Sequence, residues 1–559
     1  MIDILVFVSM LCAACSWSVQ GEDRAGRLFY STSRLQTFLS LNVSNGLDRY
    51  IDHERKRLEI IKTAKGYEDE VPQVITRLEK LRILSQELRA RAVQREDVTR
   101  RLNDFHPTTA LRHVSDFVNT WVDKMANESV YGFRLPEFLS NKQGGLPSRD
   151  DLEGMAEAVA ELQFAYNLST ADIYAGRIMG HQGASLAPRD AFAVGCRSKS
   201  IGLLNQAASW FAKALAETPD HEKTSGNATY SVAKAMAYLG VIKYSMDEVS
   251  EGLSLMEKAS ELDPEDDEIV KLYLSHRHGR DIHRLKEFPT EPKMVHWLQL
   301  CQNTSRSPNS TVLLNGPAKW YHVCRYRKAR AVPYKVYREE ILSRSPHLSL
   351  LHQVASDAEA DKLINVALTK QLQQKSVPGA EGLLHFVEGT TVMNNVDIAA
   401  TLSARLSEVT GLDTTERFPH HSSGEPFHVL NYGLAGTFLP HLDVNRNYKS
   451  TYLMTHSGER MASLILYLSD VISGGATAFN LLNITVIPRK GNALLLYNLR
   501  ANGDREEDAE HTGCPVAVGA KWVASKGVWS WGNELRHPCG KRKMSSHLEV
   551  DKMSQRLRR

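Results

Sequence analysis

From about residue 426 the chain changes its repeat, and that change limits the folds open to it. Phe427-His428-Val429-Leu430-Asn431-Tyr432 runs into a turn from Gly433 to Gly436. Leu464-Ile465-Leu466-Tyr467-Leu468, Ala478-Phe479, Ile484-Thr485-Val486-Ile487, Ala493-Leu494-Leu495-Leu496-Tyr497 and Lys521-Trp522-Val523-Ala524 follow. Short apolar runs separated by turn signals predict a β-sandwich or jelly roll. Helices near 356–373 and 396–411 are expected to flank it.

The sequence ahead of this region has helical periodicity. Leu47, Ile51, Leu58 and Ile61, then Val74, Leu78, Leu81 and Leu88, fall near heptad seam positions. A break near Gly66 or Pro72 gives either a helical hairpin within a monomeric bundle or a surface that pairs with a second chain. A second helical block starts near Ser148. Ala208, Trp210, Phe211, Ala214 and Leu215 form one helical pair. Tyr230, Ala233, Tyr238 and Gly240, continuing to Leu262-Asp263-Pro264, form another. The pairs are tetratricopeptide-like, an architecture that presents a groove to extended peptides, and Tyr230 and Tyr238 are candidate contacts. A plain helical spacer is the alternative. The expected order is a signal segment (1–20), an N-terminal helical, coiled-coil-like dimerisation region (21–145), a tetratricopeptide-like peptide-binding domain (146–275), a linker or cap (276–345), the strand-rich domain (346–541) and a basic tail (542–559). This is a multidomain α + β chain.

Residues 2–15 form an apolar stretch with the length of a secretory h-region, although Asp3 stands where a basic residue is usual. Seven sequons, at Asn42, Asn127, Asn167, Asn227, Asn303, Asn309 and Asn483, agree with a secretory compartment. Cys12 and Cys15 leave with the signal. Bridges Cys301–Cys324 and Cys514–Cys539 fit by proximity, which leaves Cys196 as the odd thiol. The end, Arg556-Leu557-Arg558-Arg559, is no lumenal retrieval signal. Lys+Arg is 68 and Asp+Glu is 65, so the net charge of +3 makes no case for nucleic acid as a partner. No later run is apolar enough to suggest a membrane span.

The chemistry centres on Pro440-His441-Leu442-Asp443. On a strand, residues i and i+2 face one way, so His441 and Asp443 can offer an imidazole and a carboxylate to one metal. His511, several strands later, supplies a third ligand. Two histidines and a carboxylate on one face of an octahedral iron leave three positions open, two of them for a bidentate 2-oxo acid and one for dioxygen. Lys521 follows ten residues after His511. A dicarboxylate entering a narrow barrel needs its far charge paired, and Lys521 has the right sign.

With these motifs the chain resembles the α subunits of collagen prolyl 4-hydroxylases, which are 2-oxoglutarate- and Fe(II)-dependent dioxygenases. The resemblance rests on Asn431-Tyr432-Gly433, Pro440-His441-Leu442-Asp443, Leu466-Tyr467-Leu468-Ser469-Asp470-Val471, Gly474-Gly475-Ala476-Thr477-Ala478-Phe479, Tyr497-Asn498-Leu499, and His511-Thr512-Gly513-Cys514-Pro515-Val516 through Lys521-Trp522-Val523. It implies a double-stranded β-helix catalytic domain. His441, Asp443 and His511 would be iron ligands, Lys521 would hold the 2-oxoglutarate C5 carboxylate, and Tyr432 and Thr477 would help seat that cosubstrate. It also implies ascorbate as reductant, O2 as cosubstrate, and protein disulfide isomerase as a β subunit in an α2β2 tetramer of the endoplasmic reticulum lumen. Both proximity-based cysteine pairs match the family's disulfides.

The sequence departs from the family at Ala435, Phe438, Asn480, Gly527 and the Leu203-Leu204 pair. Every cofactor position is kept, so the departures bear on substrate recognition more than on catalysis. The expected reaction is proline to 4-hydroxyproline in X-Pro-Gly sequences, with decarboxylation of 2-oxoglutarate to succinate and CO2. The alternatives are proline or lysine hydroxylation in other secreted proteins, and a non-catalytic subunit that binds proline-rich chains.

Overall fold

A computed structural model describes residues 106–119, 149–221, 230–279, 284–290, 292–304, 312–314, 323–328, 334–370, 372–375, 387–417, 422–444, 458–540 and His547, with single helical positions between 52 and 86. The chain divides into two units, Met1–Thr290 and Glu291–Arg559. Among the described residues no helix is long and apolar enough to cross a membrane.

The first unit is helical: α1 (Pro107–Phe117), α2 (Arg149–Tyr166), α3 (Thr170–Tyr174), the hairpin β1 (Arg177–Ile178) and β2 (His181–Gln182), then α4 (Pro188–Ser200), α5 (Leu204–Glu217), α6 (Val232–Ser245), α7 (Val249–Leu262) and α8 (Asp267–His278). Local sequence sets the ends. Ser231 caps α6 by accepting from the Lys234 amide. Asp266 caps α8, whose last turn is basic, and Gly279 closes it in the left-handed region. Successive helices from α4 pack on one another around Phe211, Tyr238 and Ile242. Leu203 and Leu204 are buried there. Farther upstream, Leu58 packs with Val71 and Leu78. The other heptad positions, the signal segment and sequons Asn42, Asn127, Asn227 and Asn309 lie outside the described residues. Asn167 is exposed, while Asn303 and Asn483 are half-buried.

Tyr238 departs from its expected role as a peptide contact. It is 1% exposed, its hydroxyl donates to Glu268 at 2.8 Å, and Lys199 Nζ lies 3.5 Å from its ring centroid. It is a core residue. Tyr230 is half-buried, with its hydroxyl 2.9 Å from Thr218 Oγ1.

The second unit begins with α9 (Pro292–Asn303), β3 (Val312–Leu314), β4 (Val323–Lys328), β5 (Val336–Arg344), β6 (His347–His352) and α10 (Asp357–Thr369). It continues with β7 (Gln373–Lys375), β8 (Val387–Val392), α11 (Asp397–Thr410), β9 (Phe427–Tyr432), β10 (Phe438–His441) and β11 (Arg460–Tyr467). It ends with β12 (Ser473–Gly474), β13 (Thr477–Phe479), β14 (Ile484–Val486), β15 (Ala493–Tyr497), β16 (His511–Gly513), β17 (Val516–Val518) and β18 (Lys521–Trp529). A five-stranded sheet runs β10-β16-β13-β14-β3 and a nine-stranded one β4-β5-β6-β15-β11-β18-β9-β8-β7. The stretch expected as a linker up to residue 345 therefore supplies α9 and three strands to this unit.

The central strands are buried on both faces, which is why their sequences read as unbroken apolar runs. Leu494, Leu496, Tyr467 and Val523 face the core between the sheets, with Phe479, Ile484 and Val486. Leu495, Leu464, Leu466 and Trp522 face the other way, against Leu363 of α10 and Leu402 and Leu406 of α11.

The disulfide differs from both expected pairs. Cys301 of α9 bonds to Cys514, with their Cα atoms 5.6 Å apart, while Cys324 and Cys539 are exposed and outside any disulfide. The reason is topological. α9 lies on β13 and β14, next to β16, whose last residue directly precedes Cys514, and His296 bonds the Asn480 carbonyl at 3.0 Å. Cys324 is carried off to β4, at the outer edge of the other sheet. A bridge spanning 213 residues is worth about 5 kcal/mol by loop entropy. Cys514→Ser is expected to lower stability by up to about that amount. A non-reduced digest should contain the 301–514 cross-linked peptide; a 301–324 species in its place would reject this pairing.

Candidate metal centre

His441 closes β10 and His511 opens β16, and the two are direct partners in that ladder. Their ring centroids are 4.4 Å apart. Asp443 lies two residues beyond β10, with Oδ1 3.3 Å from His441 Nε2. Ligand atoms of the three residues all fall within 4.8 Å of one another. Among the described residues this is the one cluster of its kind.

The two imidazoles are held alike. His441 Nδ1 lies 2.8 Å from the Leu439 carbonyl and His511 Nδ1 lies 3.1 Å from the Ala509 carbonyl. Each Nδ1–H donates to the backbone two residues earlier, so each Nε2 keeps its lone pair for a cation. Burial, reinforced by His441, lowers His511 to about 4, and it is neutral at physiological pH. Burial alone would raise the Asp443 carboxyl; the His441 ring 3.3 Å away and the Arg460 guanidinium outweigh it and hold the group well below the usual carboxylate range. Two imidazoles whose Nδ1 atoms are taken by backbone carbonyls and one carboxylate are the donor set that Fe(II) takes, so the residues fit that metal.

Phe438, the departure three residues before His441, packs edge-on against the His441 ring at 4.5 Å. Asn480 donates to Glu510 at 3.3 Å. Ala435 takes a positive φ of 56° in the turn after β9, a conformation that favours glycine.

Lys521 pairs with Tyr432 in the β18–β9 ladder and is 1% exposed in the core between the sheets. Its Nζ sits 4.3 Å from the Tyr432 ring centroid. Burial is the cause that lowers it to about 7, and among the described residues no carboxylate pairs with it. Such a lysine is poised for an anion that arrives from outside. Thr477 is 4% exposed on β13, the strand beside β16, and its hydroxyl lies 2.9 Å from that of Tyr467. Burial pushes the Tyr432 and Tyr467 phenols above their ordinary value, so both keep their protons.

Tyr467, expected in a strand and in the Leu466–Val471 motif but given no role of its own, adds a hydroxyl on the face shared with Lys521. Neither Arg460, which opens β11, nor Glu425, just before β9, is among the expected site residues. The arginine Nη1 donates to the Asp443 carbonyl at 3.0 Å, and Nε and Nη2 donate to Glu425 at 2.8 and 2.9 Å. A lone arginine at a strand start carries no sequence signal of this kind.

Comparison with known proteins agrees with this geometry. Residues 427–529, from β9 to β18, match the model of the 2OG-Fe(II) oxygenase superfamily. Residues 31–180 match the N-terminal region of the prolyl 4-hydroxylase alpha subunit. The chain is 31% identical over 466 residues to prolyl 4-hydroxylase subunit alpha-3 of Rattus norvegicus, covering 77% of this chain and 82% of that protein. To subunit alpha-1 of Mus musculus it is 27% identical over 462 residues, covering 78% and 84%. Both ends of the chain thus point the same way, and it belongs to the family of prolyl 4-hydroxylase alpha subunits.

Proposed function

We propose that this chain is the catalytic α subunit of a procollagen-proline 4-dioxygenase, converting proline to 4-hydroxyproline in collagen-like X-Pro-Gly sequences. The observation that carries the reading is the cluster of His441, Asp443 and His511, in a domain that also holds the buried Lys521. Fe(II) with 2-oxoglutarate supplies the oxidising chemistry: decarboxylation to succinate and CO2, with one oxygen atom of O2 passed to the proline ring.

The protein's own part is to bind and orient. His441, Asp443 and His511 would hold the metal on one face and leave the other open. Lys521 would pair with the C5 carboxylate of 2-oxoglutarate, and the hydroxyls of Thr477 and Tyr432 would fix its tilt. The apolar residues between the two sheets, Phe479, Val486 and Val523 among them, exclude water from the reacting centre.

Ascorbate as reductant, protein disulfide isomerase as β subunit, an α2β2 tetramer and residence in the endoplasmic reticulum lumen complete the proposal. The compartment is supported by the apolar, signal-like residues 2–15 and by the sequons, and the β subunit by the chain's membership of a family of alpha subunits. The helical pairs α4–α5 and α6–α7 are proposed as the tetratricopeptide-like site for the peptide. The test is turnover of (Pro-Pro-Gly) repeats by the chain co-expressed with protein disulfide isomerase, reading succinate and 4-hydroxyproline together. Stoichiometric formation of both is expected. Hydroxylysine formed from a lysine-bearing Gly-X-Lys peptide, with (Pro-Pro-Gly) repeats left unmodified, would transfer the substrate class, and binding of either peptide without succinate would leave a non-catalytic subunit.

A further inference from the structure

The three metal-facing residues are not equally constrained. His441 and His511 stand opposite each other in a ladder, and each imidazole is tied to a carbonyl. Asp443 lies past the end of β10, which is the edge strand of its sheet among the described residues. Among the described residues no ladder bond fixes its backbone. The contact that does so comes from the opposite sheet. Arg460 opens β11, which is flanked on both sides by β15 and β18. Its Nη1 donates to the Asp443 carbonyl at 3.0 Å and lies 3.9 Å from Asp443 Oδ1.

The guanidinium is itself aimed. Glu425 takes two of its N–H groups, a bidentate geometry that fixes the fork in one plane. Glu425 is anchored by β18: its amide donates to the Gly527 carbonyl at 2.9 Å, and its carbonyl accepts from Lys526 Nζ at 2.6 Å. The missing side chain at Gly527 makes room for the pair. A Cβ there would lie 2.5 Å from the Glu425 carboxyl carbon and 2.7 Å from Arg460 Nε.

We propose that Arg460, clamped by Glu425 against Gly527, is a positioning residue that sets the direction in which the Asp443 carboxylate faces the metal. This rests on the reading of His441, Asp443 and His511 as a metal site. Charge and orientation predict opposite signs, which makes the role testable. Removing a cation 3.9 Å from the carboxylate would, by Coulomb attraction alone, tighten the binding of a divalent metal. Loss of orientation weakens it, and outer-shell partners of metal ligands are commonly worth about 10- to 100-fold in affinity.

The experiment is Mn(II) binding to the full-length chain, read by electron paramagnetic resonance without 2-oxoglutarate. Wild type is compared with Arg460→Gln, Arg460→Lys, Gly527→Ala and His511→Ala. Arg460→Gln is expected to bind at least about tenfold more weakly. Arg460→Lys, which keeps the charge but not the fork, should recover part of the loss. Gly527→Ala removes no charge and should weaken binding by displacing the pair. Unfolding midpoints of the metal-free proteins identify any variant that fails to fold, and Gly527→Ala then decides. Unchanged or tighter Mn(II) binding by a folded Arg460→Gln overturns the proposal, as does a raised peptide KM with unchanged metal affinity. Absence of Mn(II) binding by wild type, with His511→Ala no different, would instead overturn the metal-site reading.

Discussion

His511→Ala is expected to reduce turnover below detection while leaving the fold in place. The argument is coordinate counting. Three side chains would hold the metal, and two of them face each other across the β10–β16 ladder. Deleting either imidazole leaves one imidazole and one carboxylate, too few to fix a labile divalent ion in a single geometry. The His511 backbone pairs with Phe479 of β13 on its other side, so the strand has neighbours independent of the side chain. Its ring is buried near Phe479, at 5.7 Å, and truncation costs some packing as well. The measurement is succinate release alongside the unfolding midpoint. Near-normal succinate from a folded His511→Ala would sink the assignment.

Lys521→Ala should raise the KM for 2-oxoglutarate at least tenfold, with metal affinity little changed. A charge-assisted hydrogen bond is worth about 1.5–3 kcal/mol, or roughly 10- to 150-fold in affinity. Lys526 offers no replacement. It projects to the opposite face of β18, where its Nζ lies 4.6 Å from the Phe427 ring centroid and donates to the Glu425 carbonyl. The site also predicts a pH profile. Burial lowers Lys521 to about 7, so its ammonium fraction falls above that pH. A dicarboxylate binds the ammonium form, so apparent 2-oxoglutarate affinity should be flat below about pH 7 and decline by up to about tenfold per unit above it. Lys521→Arg, which keeps its charge at any working pH, should lose that decline along with part of the activity through its bulk. An unchanged KM in Lys521→Ala would show that the lysine does not meet the anion.

The sequence carried the catalytic architecture well because its signals there are local. Central strands such as β15 are buried on both faces and announce themselves as continuous apolar runs. His441 and Asp443 are separated by one residue, so their proximity was legible in the sequence, although Asp443 sits in a bend past the end of β10 and not on the strand. What depends on three-dimensional closure was not legible. Arg460 reaches Asp443 and Glu425 across 17 and 35 residues, and nothing in its neighbours marks it. The cysteines misled for a related reason. Cys324 is near Cys301 in sequence, but Cys301 lies in α9 against β13 and β14 of the five-stranded sheet, while Cys324 lies in β4 at the edge of the nine-stranded one. Tyr238 misled differently, because an aromatic residue on a repeat helix reads the same whether it lines a groove or fills the core.

The Cys301–Cys514 bond has a consequence for how the protein is made. Synthesis proceeds from the N-terminus at roughly 5–20 residues per second. Cys301 therefore meets Cys324 within a few seconds, but its structural partner follows 213 residues behind, after roughly 10–40 s. Throughout that interval the nearest available thiol is the wrong one. Any early 301–324 bridge must be broken before Cys301 can reach Cys514, which directly follows β16, the strand that carries His511. Where such a bridge forms, closure of the 301–514 bond waits on a thiol exchange, and its yield should follow the supply of disulfide isomerase during synthesis. Alkylation of pulse-labelled chains would display the order of bridges directly, and a 301–514 bond formed without a precursor would remove that dependence.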